Sequence, residues 1–182
     1  MVYTFLAEGF EEIEALTVVD LGRRAGIDIQ TVSVTNSKDV TGARGITVLA
    51  DTLMDEVRWD QADMLILPGG MPGTKNLEAC GELMTHIDEM SHSGRNISAI
   101  CAAPTILGHR GILKGRRACC YPGLEDQLEG AVVCRDSAVT DGNIITSRGM
   151  GCAIDFALAI IEKLMSKDKA DEIAKSIVYR QV

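Results

Sequence analysis

The chain has 182 residues, 46% of them hydrophobic and 24% charged, with a formal net charge of −8. That length suits one domain, spanning 1–182, with a substantial core, and the composition is that of an ordinary globular protein. The acidic balance argues against a nucleic-acid or anionic-membrane surface, and no apolar run approaches the length of a membrane span.

Val2 to Ala7 reads as a buried first strand; Glu8 follows at once and no basic segment precedes it, so a signal peptide is not expected. Gly9 and Phe10 break the strand, and Glu11 opens a helix to about Ala25, closed by Arg23, Arg24 and Gly26. Asp28 to Val34 alternates as a second strand, and Gly42 to Ala50 reads as a strand or hairpin arm. Ala62 to Leu67 is a short apolar run ending in Pro68-Gly69-Gly70. Leu77, Cys80, Leu83, Met84, Ile87 and Met90 mark the stripe of one helix. Asn96 to Ile100 reads as a buried strand, followed by a helix to about Leu113. Ala118 to Tyr121 and Ala131 to Cys134 are expected as short strands, and Asp141-Gly142 as a hairpin turn. Ile154 to Leu164 predicts a buried helix, and Ala170, Ile173, Ala174, Ile177 and Val178 a last amphipathic one. This alternation predicts an α/β fold with a mainly parallel, doubly wound sheet.

The chemistry centres on Ile100-Cys101-Ala102-Ala103-Pro104. A strand, an abrupt turn and a helix opened by proline read as a nucleophile elbow with sulfur as the nucleophile, the alternative being a buried structural cysteine. A thiol facing a helix N-terminus should be favoured as thiolate. Sites in such sheets form beyond the C-terminal strand ends, where Glu8 to Glu14, Gly69-Gly70 and Cys101 can meet. Glu14 heads an apolar stripe with Val18, Leu21 and Ala25, which predicts burial and a raised pKa. Glu11 and Glu12 read only as carboxylates complementing the helix N-terminus. Backbone N–H groups of Gly70 and Ala102 are candidates for an oxyanion hole beside Cys101.

The cysteines are Cys80, Cys101, Cys119, Cys120, Cys134 and Cys152; they contain no C-x-x-C pair, so no metal or other cofactor is expected. Without a leader, reduced thiols and a cytoplasmic location are expected. His86, His92 and His109 all precede or lie far from the elbow's partners, and no histidine follows residue 109. A cysteine–histidine–acid triad with a downstream histidine is therefore impossible here.

Gly9-Phe10-Glu11-Glu12-Ile13-Glu14, Leu67-Pro68-Gly69-Gly70, Ala99-Ile100-Cys101-Ala102-Ala103-Pro104 and Thr146-Ser147-Arg148-Gly149-Met150-Gly151 occur in this order. Together they resemble the ThiJ/PfpI superfamily, in the branch of the parkinsonism-associated protein deglycase and bacterial YajL-like proteins. The resemblance implies a flavodoxin-like, three-layer sandwich of the class I glutamine amidotransferase kind, usually a homodimer. It implies Cys101 as the reactive cysteine, Glu14 as the buried acid touching it, and Gly70 and Ala102 as backbone donors. It also implies Arg44 as a pocket arginine and Arg24 as an arginine near the dimer interface, both assigned to the substrate region with Tyr121. The activities implied are glyoxalase III-type hydration of glyoxals, deglycation of glycated thiols and amines, redox sensing and chaperone action. The partners implied are a small carbonyl compound or a glycated protein. Two positions depart from relatives: Tyr121 stands where the human member has histidine, and Ala102 where the intracellular-protease branch has histidine. The second counts against peptidase activity.

Overall fold

In the computed structural model, which describes residues 1–180, the first strand β1 (Val2–Leu6) is buried at every position. It leads into helix α1 (Glu12–Ala25), strand β2 (Ile29–Ser33), a hairpin of β3 (Asp39–Thr41) and β4 (Thr47–Leu49), and the short strand β5 (Thr52–Leu53). Strand β6 (Met64–Leu67), helices α2 (Gly73–Glu78) and α3 (Gly81–His92), strand β7 (Asn96–Ile100) and helix α4 (Pro104–His109) follow. The remainder comprises β8 (Arg117–Ala118), β9 (Val132–Val133), β10 (Ala138–Asp141), β11 (Ile144–Ser147), α5 (Ala153–Leu164) and α6 (Lys167–Ser176).

Seven strands form one sheet in the order β10-β11-β7-β6-β1-β2-β5. Every neighbouring pair is parallel except β10 with β11, the hairpin turned at Asp141-Gly142. The strands read as unbroken apolar runs because both faces are covered. Successive residues of β6 show it: Met64 and Ile66 pack with Val18 of α1 and Phe156 and Ile160 of α5. Leu65 and Leu67 pack on the opposite face with Leu77, Leu83 and Ile87 of α2 and α3 and Ile106 of α4. The result is a three-layer α/β sandwich of the flavodoxin-like kind, as the sequence predicts.

The order also fixes where a site can lie. From β1 the chain moves outward to β2 on one side and returns to β6 on the other, so the loops after β1 and β6 part company. A crevice opens at that switch point, beyond the C-terminal strand ends.

Several boundaries differ from the sequence reading. The arm expected within 42–50 is β4, and its partner β3 is too short and polar to carry a periodic signal. The single helix expected over Leu77 to Met90 is two helices, broken where Cys80 takes an extended backbone as N-cap of α3. Helix α4 stops at His109 rather than Leu113, because Gly111 turns the chain at φ +70°. The strands expected at 118–121 and 131–134 shrink to β8 and β9, a separate parallel pair. Val178 is 72% exposed, beyond the end of α6, and does not belong to its buried stripe. No helix of the described residues is long and apolar enough to cross a membrane.

Candidate active site

Cys101 follows β7 directly and has φ +65°, a left-handed backbone that a side-chain-bearing residue rarely adopts. Its surroundings hold it there from both sides. The Cys101 N–H donates to Ser147 O (3.0 Å), extending the β7–β11 ladder by one bond, and its carbonyl accepts from Tyr121 N–H (2.7 Å). The sharp turn lifts the sulfur out of the sheet plane into a cleft of about 1100 Å³. This is the strand–turn–helix elbow the sequence predicts, with its strain located at Cys101.

Glu14, 1% exposed, reaches this point from the first turn of α1. Its Oε2 accepts from Gly69 N–H at 2.8 Å. Gly69 must be glycine: a methyl there would lie 2.6 Å from Cys101 Cβ and 2.8 Å from Glu14 Oε2. Glycine thus lets the acid and the thiol approach each other. The other oxygen, Oε1, is buried without a geometrically proper hydrogen bond, and the Cys101 thiol is the polar group that affects this carboxyl's ionisation most. Gly70, at φ +92°, is equally constrained, since a methyl would meet Glu11 N at 2.5 Å.

Burial raises the Glu14 pKa from 4.5 to about 7, with smaller lowering effects from Cys101 and the Gly69 N–H. The Cys101 thiol is pushed up to about 12, first by burial and then by the charge and hydrogen bond of Glu14. The N–H groups of Gly70 and Ala102 pull it back. The sequence reading expected the elbow to favour a thiolate; here burial and an adjacent carboxylate oppose it, and the six-residue α4 starts only at Pro104. The two lifts are linked. A proton on Glu14 removes the charge that opposes the thiolate and gives the carboxyl an O–H to donate to sulfur. Between about pH 7 and 12 the pair therefore holds one proton and one negative charge.

Arg44, Tyr121 and Ala102 line the same cleft as Cys101, Glu14 and Gly70. Tyr121 is 52% exposed, and its ring lies over Gly149, where a methyl would be 3.4 Å from Tyr121 Cδ2 and 4.0 Å from Cys101 Sγ. Arg24 does not belong to the cleft. It sits in the last turn of α1, about 15 Å along the helix from Glu14 at 1.5 Å per residue, and its Nε donates to Asp20 at 2.8 Å. The helix axis carries it away from the sheet's C-terminal edge, so its assignment to the substrate region is corrected.

Sequence reasoning missed Glu12. Read only as complementing the helix N-terminus, it is 1% exposed, and its Oε1 accepts from the N–H groups of Arg44 (2.8 Å) and Ile46 (3.4 Å). It thereby fixes the loop between β3 and β4 that presents Arg44. The available signal was Gly42, where a methyl would overlap the Glu12 carboxyl at 2.3 Å. Arg148 also lines the cleft; its Nη1 donates to Arg135 O at 3.4 Å. The histidines are engaged elsewhere: His109 Nδ1 with Glu78 (2.7 Å), His92 Nδ1 with Asp88 O (2.7 Å), and His86 stacked on Trp59. Among the described residues, no group of three or more His, Cys, Asp or Glu side chains is placed to hold a metal ion.

A strained cysteine at the switch point of a flavodoxin-like sheet, with a buried acid against it and no histidine, defines a cysteine-elbow α/β protein of the ThiJ/PfpI type. The chain belongs to the DJ-1/PfpI family, whose model matches residues 1–163. It is 37% identical to protein dj-1beta of Drosophila melanogaster over 95% of this chain and 94% of that one. It is 32% identical to the glutathione-independent glyoxalase DJR-1.2 of Caenorhabditis elegans, covering 93% and 91%. It is also 37% identical to the DJ-1 homolog B of Arabidopsis thaliana, over 96% of this chain but only 40% of that one. The chain spans less than half the length of both Arabidopsis relatives it matches. Among solved structures, oxidised Toxoplasma gondii DJ-1 superposes with a TM-score of 0.94 at 35% identity, covering 99% of this chain and 98% of that one.

Proposed function

We propose that the protein is a cofactor-free, cysteine-dependent enzyme of the glyoxalase III or deglycase type that acts on 2-oxoaldehydes or their adducts. The observation that carries this reading is the pairing of Cys101 at φ +65° with a buried Glu14 whose pKa is raised to about 7. The Cys101 sulfur adds to the aldehyde carbon and the carbonyl oxygen takes a proton, giving a hemithioacetal. The Glu14 carboxylate removes the proton from that carbon, forming an enediol, and, after exchanging that proton with solvent, protonates the neighbouring carbon. The resulting thioester is hydrolysed by water to the 2-hydroxy acid, which restores the thiol. Gly70 and Ala102 N–H groups steady the negative charge beside the sulfur in this reading, which is supported by their pull on the Cys101 thiol. The relative named a glutathione-independent glyoxalase supports the reading. Lactate formed from methylglyoxal in an amine-free, thiol-free buffer tests it: wild type should turn over and Cys101→Ser should not.

A second reading is favoured by the same acid. A Glu14 carboxyl protonated up to about pH 7 can hydrogen-bond an oxidised sulfur. Cys101 would then serve as a peroxide-sensing residue that stops at sulfinate, with or without a chaperone role. Glu14→Leu should make sulfinate scarcer relative to sulfenate and sulfonate in peptide mass spectra after mild peroxide. We also propose a homodimer, and no peptidase activity, since no histidine stands near Cys101 to protonate an amine leaving group.

A further inference from the structure

We propose that Cys119 and Cys134 form a second thiol site, separate from Cys101, that reacts with hydroperoxides and closes to a reversible disulfide. The backbone places them. Strands β8 and β9 run parallel with Arg117 opposite Val132 and Ala118 opposite Val133. The ladder continues one step further, because Val132 N–H donates to Arg116 O (2.8 Å) and Cys134 N–H to Ala118 O (2.7 Å). The next register pair is therefore Cys119 with Cys134. Adjacent strands lie about 4.8 Å apart, within the roughly 4.4–6.8 Å Cα separation that a disulfide spans. In-register neighbours also point to the same face, and Cys134 is close enough to affect the ionisation of the Cys119 thiol.

The pair is asymmetric in the way a reacting and a resolving thiol differ. Cys134 is partly exposed, and the Arg117 guanidinium lies against its sulfur. A cation there favours attack by sulfur on peroxide. Cys119 is fully buried, with its thiol beside Thr146 Oγ1 at 3.7 Å. Cys134 sulfur attacks the terminal oxygen of the hydroperoxide; the O–O bond breaks, the other oxygen leaves with the thiol proton as water or alcohol, and Cys134 becomes a sulfenic acid. Cys119 sulfur then attacks it, the S–O bond breaks, and the Cys119 proton leaves with the oxygen as water. The net change is two thiols and one hydroperoxide to a disulfide, water and the reduced peroxide product. The ring so formed closes residues 120–133, which carry Tyr121, Pro122 and Leu124 of the cleft wall.

The test uses the full, reduced protein with a small excess of hydrogen peroxide, alkylation, and digestion by trypsin and a glutamate-specific protease. The expected product is residues 118–125 linked to 130–135, two hydrogens lighter than the two thiol peptides. The link should persist in Cys120→Ser and Cys101→Ser. It should vanish in Cys119→Ser, with Cys134 gaining oxygens instead. Alkylated Cys119 and Cys134 without any link, or a link that survives Cys119→Ser, overturns the proposal. No carbonyl turnover enters this readout, so its failure is distinct from failure of the function proposed above.

Discussion

Glu14 binds its proton more tightly in the folded chain than in the unfolded one, and this makes stability depend on pH. With a folded value of about 7 against 4.5 unfolded, the contribution is fully present below pH 4.5 and is lost as pH rises through 7. The shift corresponds to roughly 3 kcal/mol at about 1.4 kcal/mol per unit. Glu14→Gln, which keeps the shape but cannot ionise, should therefore be relatively more stable at pH 8 than at pH 5, by up to about 3 kcal/mol. Urea unfolding of both proteins at the two pH values checks this; parallel pH dependence would contradict it. Gly69→Ala tests the close approach. A methyl 2.6 Å from Cys101 Cβ must separate thiol from acid, so turnover should fall by at least tenfold and stability by about 1–3 kcal/mol, read by lactate assay and denaturant titration. At this scale much was legible: an elbow motif marks Cys101, and an acid heading an apolar stripe marks Glu14. The lifted Cys101 thiol was not, because it arises from burial and from a residue far away in the chain. Glu12 was hidden for the same reason, since its partners are main-chain N–H groups 32 and 34 residues distant.

Among the elements, those with long periodic patterns were legible and those made by tertiary pairing were not. Helix α1 carries its own signals, acidic residues in its first turn and Gly26 at φ +87° receiving its end. Strands β3, β5, β8 and β9 are two or three residues long and exist only through their partners. Asp51 shows what secures one of them. Its Oδ2 accepts from Thr31 N–H (2.8 Å), Thr31 Oγ1 (2.7 Å) and Arg23 Nη2 (2.6 Å), tying β5 and β2 to the end of α1. Partial burial alone would raise its pKa, but the Thr31 and Arg23 partners outweigh it and hold the carboxyl low. Its contribution is thus present above the ordinary aspartate range and lost as pH falls through the lowered value. Asp51→Ala should cost about 2 kcal/mol near neutrality and less in acid, measured by chemical denaturation at both.

The whole molecule leaves apolar side chains uncovered: Ile13 (49% exposed) and Ile46 (53%) in the cleft wall, and Leu49 (72%) on the β4 strand that follows Ile46. With the family resemblance, they lead us to expect a homodimer that buries them. Sedimentation at micromolar concentration should show it, and Leu49→Glu should shift the equilibrium toward monomer; wild type found only as monomer would contradict the expectation. The doubly wound topology was legible from the alternation of strands and helices, and with it the place of the site. The cleft's shape was not, because its walls come from six separate stretches of chain. The most direct test of the account is proton NMR of methylglyoxal and enzyme in deuterated water. The prediction is lactate carrying deuterium at carbon 2, delivered through the exchangeable Glu14 proton, with no lactate from Cys101→Ser and very little from Glu14→Gln. No lactate from wild type, or equal lactate from wild type and Cys101→Ser, would contradict it.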